Sequence, residues 1–381
     1  MRSAVEIPGT ALAIGPAEPH MDTVPVGHRV LIPGAGTGPG NSLVRSLRAG
    51  DPSIFIVGTH DDRFVLKKSW ADVNYLVPPP ARPRFADALR SIVREEQVRL
   101  IFPNTDADVK AFSDLRDQFP SRLFLPSKAV IDLCQDKHAL SAFLRSRGFP
   151  VAASHEIADL HAIENIFEAL GARRPIWCRA RAGFGSWGAT PVNTPEQARS
   201  WITYWEEMRG VPATSFTLSE YLPGRDLGCQ CLWKDGRLVL TKTAERVSYF
   251  GGADRPSGVS SNAALAKTVV EPEVVDLCAA VIQAIDARAT GAFTVDLKGD
   301  ARGRMCPTEI NAGRFITTTN LFDLAGRHNM SATYVRLALG EEVVIDEPYD
   351  APEDYYFVRD LDTVPAIFHS DEFFEGILDA R

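Results

Sequence analysis

The apolar pattern changes character partway along the 381-residue chain, and that change constrains the fold more than any single motif. From residue 29, strands alternate with helices. "RVLIPG" (29–34) reads as a strand, "SLVRSLRAG" (42–50) as a helix closed by Gly50, and "SIFIVG" (53–58) as a second strand. "RFADALRSIVREEQ" (84–97) places Phe85, Leu89, Ile92 and Val93 at helical spacing, and "VRLIFP" (98–103) and "RLFLP" (122–126) read as a third and a fourth strand. A βαβ series of this kind folds into a small parallel sheet. Beyond residue 213 the strands follow one another instead: "SFTLSEYL" (215–222), "DLGCQCLW" (226–233) and "RLVLTKTAER" (237–246), the last two joined by the hairpin signal "KDG". The sum is an α/β unit followed by an α+β unit with an antiparallel core.

Between the two textures lie helices at 136–148, with Leu140, Phe143 and Leu144 on one face and Gly148 as its stop, at 161–171 and at 195–208. The strand "RPIWCRAR" (174–181) precedes a glycine loop. Further on come an amphipathic helix opened by Pro272, a strand pair around "KGDARG" (298–303), and a helical stretch ending at Gly340. The acidic tail, 341–381, holds a strand-like "DYYFVRD". Residues 1–28 are rich in Ala, Pro and Gly, lack periodicity and read as a disordered tail, with Met21 an alternative start to Met1.

Composition excludes several classes. A net charge of −8 argues against a general nucleic-acid or membrane-surface binder. No apolar run approaches the ~18 residues of a membrane span, and the opening residues, interrupted by Glu6 and Pro8, make a poor signal peptide. A cytoplasmic protein is expected. The six cysteines (134, 178, 229, 231, 278, 306) are scattered without a CxxC or a His partner pattern, so buried structural thiols are expected rather than zinc ligands or disulfides.

"GAGTGPG" (34–40) follows the first strand, but a dinucleotide fingerprint needs a glycine where Pro39 stands, and no Lys follows Gly40 as a Walker loop requires. Four later segments carry stronger phosphate chemistry. Lys137 stands at a helix start, where the dipole disfavours a cation unless it reaches an anion, behind Asp136 as N-cap. In "WCRARAGFGSWG" (177–188), Trp177, Arg179 and Arg181 share one strand face ahead of a loop rich in unobstructed backbone N–H groups. "LSEYLPGRD" (218–226) ends a strand at a Pro-Gly turn with acids at Glu220 and Asp226, suited to a purine edge and a ribose. In 294–314, pairing around 301–302 sets Asp296, Glu309 and Asn311 on one face with Arg314 just behind, a hard-cation donor set.

In this order, the four segments resemble the ATP-grasp superfamily, and within it single-unit proteins similar to half of the carbamoyl-phosphate synthase large chain; the resemblance covers about residues 29–345. It implies a pre-ATP-grasp βαβ domain (29–126), a lid subdomain (127–212), an ATP-grasp core with the metal site (213–345) and a C-terminal extension (346–381). It implies that ATP is held by Lys137, Arg179, Gly185, Ser186, Gly188, Glu220, Leu222 and Asp226, and Mg²⁺ (or Mn²⁺) by Asp296, Glu309 and Asn311. Arg314 resembles the arginine that steadies an acyl-phosphate, while Lys242 and Arg246, on one face of a strand, would meet the substrate carboxylate beside the loop 248–262. "GAGTGPGNS" and "NTDAD" (104–108) would then face the substrate that is not the nucleotide.

The activity implied is carboxylate–amine ligation through an acyl-phosphate, with small-molecule carboxylate and amine substrates; the resemblance allows a homodimer. Two alternatives stay open: a carboxy-phosphate-forming enzyme like carbamoyl-phosphate synthase, and a catalytically weak nucleotide-binding protein.

Overall fold

Alternation of strand and helix gives a four-stranded parallel sheet at the N-terminal end of the chain. The computed structural model describes residues 27–119, 123–171, 175–181, 186–251, 257–316, 323–360 and 366–372; the expected N-terminal tail and Met21 lie outside them, apart from residues 27 and 28. The elements are β1 (Arg29–Pro33), α1 (Gly38–Gly50), β2 (Phe55–His60), α2 (Arg63–Leu66), β3 (Val73–Leu76), α3 (Phe85–Glu95), β4 (Leu100–Ile101) and α4 (Asp106–Asp114). The sheet order is β3-β2-β1-β4.

Two expectations are corrected here. The edge strand β3 had not been expected: it is four residues long, half-buried on alternate positions, too short to stand out as a pattern. Among the described residues of "RLFLP", 123–126, only Leu123 pairs, bridging Ile101, while Phe124 and Leu125 are buried and the Phe124 carbonyl accepts from the Tyr334 hydroxyl at 2.6 Å. Its apolar character serves the core rather than a ladder.

Next come α5 (Lys128–Gln135), α6 (Lys137–Ser146), β5 (Ser154–Glu156), α7 (Ile163–Ala169), β6 (Ile176–Ala180), β7 (Thr190–Val192), α8 (Pro195–Arg209) and β8 (Phe216–Glu220). The four strands form an antiparallel sheet ordered β5-β8-β6-β7. Ile163, Phe167, Ile202 and Phe216 pack its inner face against α7 and α8. Because β8 pairs with both β5 and β6, this unit runs to Glu220, one strand past the expected boundary at 212/213.

The largest sheet has seven strands. They are β9 (Asp226–Lys234), β10 (Arg237–Tyr249), β11 (Ala263–Thr268), β12 (Gly291–Gly299), β13 (Met305–Ala312), β14 (Tyr355–Val358) and β15 (Ala366–His369), with α9 (Pro272–Ile285) between β11 and β12 and α10 (Met330–Ala338) between β13 and β14. The order is β13-β12-β9-β10-β11-β14-β15, so the strand-like tail extends the core sheet. On β9, Leu227, Cys229 and Cys231 share the core with Cys278 and Ile282 of α9. Asp226, Gly228, Gln230 and Leu232 point the other way. Leu232 packs with Val30, Phe102 and Tyr334, which fixes the N-terminal unit against the same face that carries the candidate site. All six cysteines are buried and free, and burial pushes the Cys134 thiol up to about 12. No helix among the described residues is long and apolar enough to cross a membrane.

The β9–β10 turn obeys its signal. Asp235 (φ +51°) and Gly236 (φ +82°) are both left-handed, as a two-residue type I′ hairpin requires. A Cβ on Gly236 would overlap the Ala287 carbonyl oxygen. Gly236→Ala is therefore expected to cost more than about 1 kcal/mol, seen as a lower urea midpoint; an unchanged midpoint would contradict this contact.

Candidate nucleotide and metal site

The helix α6 begins where its sequence says it should. Asp136 caps it, accepting from the backbone N–H of His138 and Ala139 at 3.0 Å each. Its second oxygen takes the Arg181 guanidinium at 2.8 Å. Burial opposes ionisation of Asp136, but the helix N–H groups and Arg181 outweigh it and hold the carboxyl below its ordinary range. Lys137 is thereby placed at the first helical position, with its Nζ 3.4 Å from Glu309 Oε1.

Arg179 alternates on β6 with the core-facing Cys178 and Ala180. Its NH2 donates to the Thr308 carbonyl at 3.3 Å, while its Nε is shielded from solvent and has no partner among the described residues. Burial lowers its pKa, and the charge of Glu309 works against that. A cleft with roughly 780 Å³ of empty volume, part of it open to solvent, is lined by Leu140, Trp177, Arg179, Glu220, Leu222, Lys298 and Thr308. The structure thus brings Arg179, Glu220 and Leu222 into one cleft.

The strands β12 and β13 pair as anticipated, with Asp296 opposite Glu309 and Thr294 opposite Asn311. Asn311 Nδ2 donates to Asp296 Oδ2 at 3.3 Å. Burial, with the charge of Glu309 adding to it, raises the Asp296 pKa in spite of Arg246. Arg246 bridges two acids, donating to Asp226 at 2.8 Å and to Asp296 at 2.5 Å. Asp226 also accepts from the Tyr249 hydroxyl and lies 3.7 Å from Lys298 Nζ. Arg246 and Asp226 are therefore engaged with each other, where a substrate carboxylate and a ribose had been expected to meet them separately.

Arg314 holds Asp106, the first residue of α4, through both carboxylate oxygens, at 2.5 Å and 3.0 Å, and also donates to Asn311 Oδ1. The donor set thus connects to the N-terminal unit. There the glycine loop closes on itself, Thr37 Oγ1 donating to the Gly34 carbonyl at 2.6 Å and accepting from Gly40 N at 3.1 Å. Beside it Thr105 and Asp108 form a capping box, and Asn104 Nδ2 is buried without a partner among the described residues.

Lys242 is placed elsewhere than expected. It is 3% exposed and locked to Asp350 at 2.9 Å, with Asp323 at 3.7 Å, so it does not face the cleft. Strand periodicity sets it on the face of Arg246, but covering residues 323 and 350 are far away in sequence. Of the glycine loop, Gly185 lies outside the described residues. Ser186 (φ +60°) and Gly188 (φ +67°) form a turn whose Trp187 ring stands edge-on to Trp205 at 5.0 Å, and Trp201 Nε1 donates to the Gly188 carbonyl at 3.0 Å. The aromatic residues of α8 thus hold the end of this loop. Lys298 had not been singled out; its signal was its place two residues after Asp296 on the same strand face.

Among the described residues no group of three or more His, Cys, Asp or Glu side chains forms a metal cage. The donors at Asp296, Glu309 and Asn311 are two carboxylates and one amide. That set fits Mg²⁺, which keeps several positions for water and phosphate oxygens.

No family model and no curated protein matches the chain. Solved structures do. Biotin carboxylase of Campylobacter jejuni, in a β,γ-ATP complex, superposes with a TM-score of 0.66 at 14% identity, over 86% of this chain and 74% of that one. An L-amino acid ligase of Bacillus licheniformis gives 0.65 at 11% identity, over 87% and 78%. The N5-carboxyaminoimidazole synthetase of Staphylococcus aureus complexed with ADP gives 0.65 at 15% identity, over 88% and 83%. With the parallel sheet, the small antiparallel unit and the large core sheet in this order, the chain has the ATP-grasp fold.

Proposed function

We propose that this chain is an ATP-dependent carboxylate–amine ligase that forms an acyl-phosphate and releases ADP and phosphate. The observation that carries the reading is Arg179: a guanidinium that lines the cleft, whose shielded Nε has no partner among the described residues, and which shares the charge of Glu309 with Lys137. Such a cation calls for an anion of several oxygens. Similarity to proteins solved with an ATP form and with ADP supports the nucleotide.

In this reading the adenine sits among Leu140, Trp177 and Leu222, with Glu220 at its edge, and the phosphates run past Ser186 and Gly188 toward Arg179 and Lys137. When bound by Asp296, Glu309 and Asn311, Mg²⁺ or Mn²⁺ supplies positive charge to the phosphate oxygens. A substrate carboxylate oxygen attacks the γ-phosphorus, and Arg179, Lys137 and Arg314 offset the charge on the transferred group. The amine then displaces phosphate at the acyl carbon. The chain has only to align the partners and exclude water, because the acyl group is already activated. The non-nucleotide substrates enter between residues 34–40, 104–108 and the segment after β10, and the reaction belongs in the cytoplasm.

A second reading, with bicarbonate as the acid, is supported by the similarity to a biotin carboxylase domain of Hydrogenobacter thermophilus solved with ADP and bicarbonate. Arg179→Met tests the shared first step. Losing a charged hydrogen-bonding group to phosphate should weaken ATP about tenfold to a hundredfold, read by titration calorimetry. ATP affinity equal to wild type would remove the phosphate assignment.

A further inference from the structure

Asp226, the acid that its sequence context suits to a ribose, is committed on both carboxylate oxygens. Oδ1 accepts from Arg246 at 2.8 Å, and Oδ2 accepts from the Tyr249 hydroxyl. The same guanidinium holds Asp296 at 2.5 Å. The side chains of Arg246 and Asp226 are only 12% and 16% exposed. Turning Asp226 toward a ligand would break this mostly buried pair and leave Arg246 short of a partner, which is costly.

The free group lies one strand away. Lys298 on β12 stands directly opposite Asp226 on β9, and Asp226 in turn opposes Arg246 on β10. The row alternates in charge. Lys298 Nζ is 3.7 Å from Asp226 Oδ2, close enough for attraction and too far for a hydrogen bond. Among the described residues no hydrogen bond takes any of its three N–H donors, and its side chain is 37% exposed. Lys298 also lines the cleft, where it and Arg179 are the two cations among the described lining residues. Along β12 it lies two residues beyond Asp296 on the same face, roughly 7 Å away. A phosphate chain whose outer end meets a cation at Asp296 and Glu309 reaches back over a comparable distance to its α-phosphate and sugar.

We propose that Lys298, positioned by Asp226, binds the nucleotide on its sugar side, its ammonium donating to an oxygen of the sugar or of the α-phosphate. This rests on the nucleotide reading of the cleft. The role differs in chemistry from the one the acid would have had. A carboxylate holds a ribose by accepting from its hydroxyls, whereas an ammonium needs an acceptor oxygen. Asp226 acts through Lys298 and Arg246 and is a positioning residue.

The test is titration calorimetry of the full chain with ADP in EDTA, which keeps the metal donors out of the comparison. Lys298→Met is expected to weaken ADP about tenfold. Lys298→Arg, which keeps the charge and the donors, should retain most of the wild-type affinity. Because the side chain is more than one-third exposed, Lys298→Met should unfold at the wild-type temperature. Asp226→Asn separates the two roles: it should weaken ADP on its own and add little in the Lys298→Met background, since it acts through the ammonium. Equal weakening in both backgrounds would return Asp226 to direct contact and overturn the assignment. Repeating Lys298→Met with 2′-deoxy-ADP and 3′-deoxy-ADP finds the acceptor. A loss that vanishes with one of them names that hydroxyl, and a loss of equal size with all three names the α-phosphate. Wild-type affinity in Lys298→Met overturns the role of Lys298 and leaves the nucleotide reading standing. Absence of ADP binding by the wild-type chain overturns the nucleotide reading and this inference with it.

Discussion

Glu309→Gln is expected to lower ADP formation about a thousandfold while leaving the unfolding midpoint within about 3 °C of wild type. Glu309 faces Asp296 across the strand pair and receives Lys137 at 3.4 Å. The amide keeps the shape and a hydrogen-bonding oxygen but removes the charge that both Lys137 and a divalent cation require. Its side chain is 25% exposed, so the fold does not depend on burying it. Steady-state ADP release with ATP and Mg²⁺ is the readout. Turnover at the wild-type rate would exclude Glu309 as a metal ligand.

Lys242→Met should act in the opposite way, on stability. Its ammonium is buried between Asp350, at 2.9 Å, and Asp323, at 3.7 Å. Asp350 also accepts from the backbone N–H of Arg327 and His328, and Asp323 accepts from Ser46 and Ser331. The cluster thereby joins α1, β10, the approach to α10 and the tail. Removing one member of such a buried group leaves uncompensated charge and costs about 3–5 kcal/mol. Urea unfolding measures it. Adding Asp350→Asn should recover part of the loss, because the deleted partner no longer leaves a full charge behind. A wild-type unfolding curve together with a raised KM for a carboxylate substrate would return Lys242 to the substrate-binding role that strand periodicity suggests.

These two residues also show where sequence reading reaches and where it stops. Asp296, Glu309 and Asn311 were legible as a group because a hairpin is local: strand alternation and a turn at 301–302 decide which side chains are neighbours. Lys137 was legible for the same reason, through the cap that Asp136 provides. Lys242 was not, because its partners lie 81 and 108 positions away in sequence, Asp323 before α10 and Asp350 in the tail, and only the folded chain brings them over it. The Arg314–Asp106 pair, 208 residues apart, likewise needs the N-terminal unit docked on the large sheet. Fold class was readable from the switch between alternating and consecutive strands. Pairing order was not, so the short edge strand β3 went unseen, and β8 was expected in the core sheet although it belongs to the small one.

The central claim is that a carboxylate and an amine are joined at the expense of ATP. The most direct measurement is ADP release by the purified protein with ATP and Mg²⁺, against pooled amino acids and small carboxylates, with bicarbonate plus ammonia tested separately. The expected result is ADP only when both an acid and an amine are present, and about a thousandfold less of it from Glu309→Gln. ADP release that needs neither acid nor amine, or ATP binding with no ADP under any of these conditions, would contradict it.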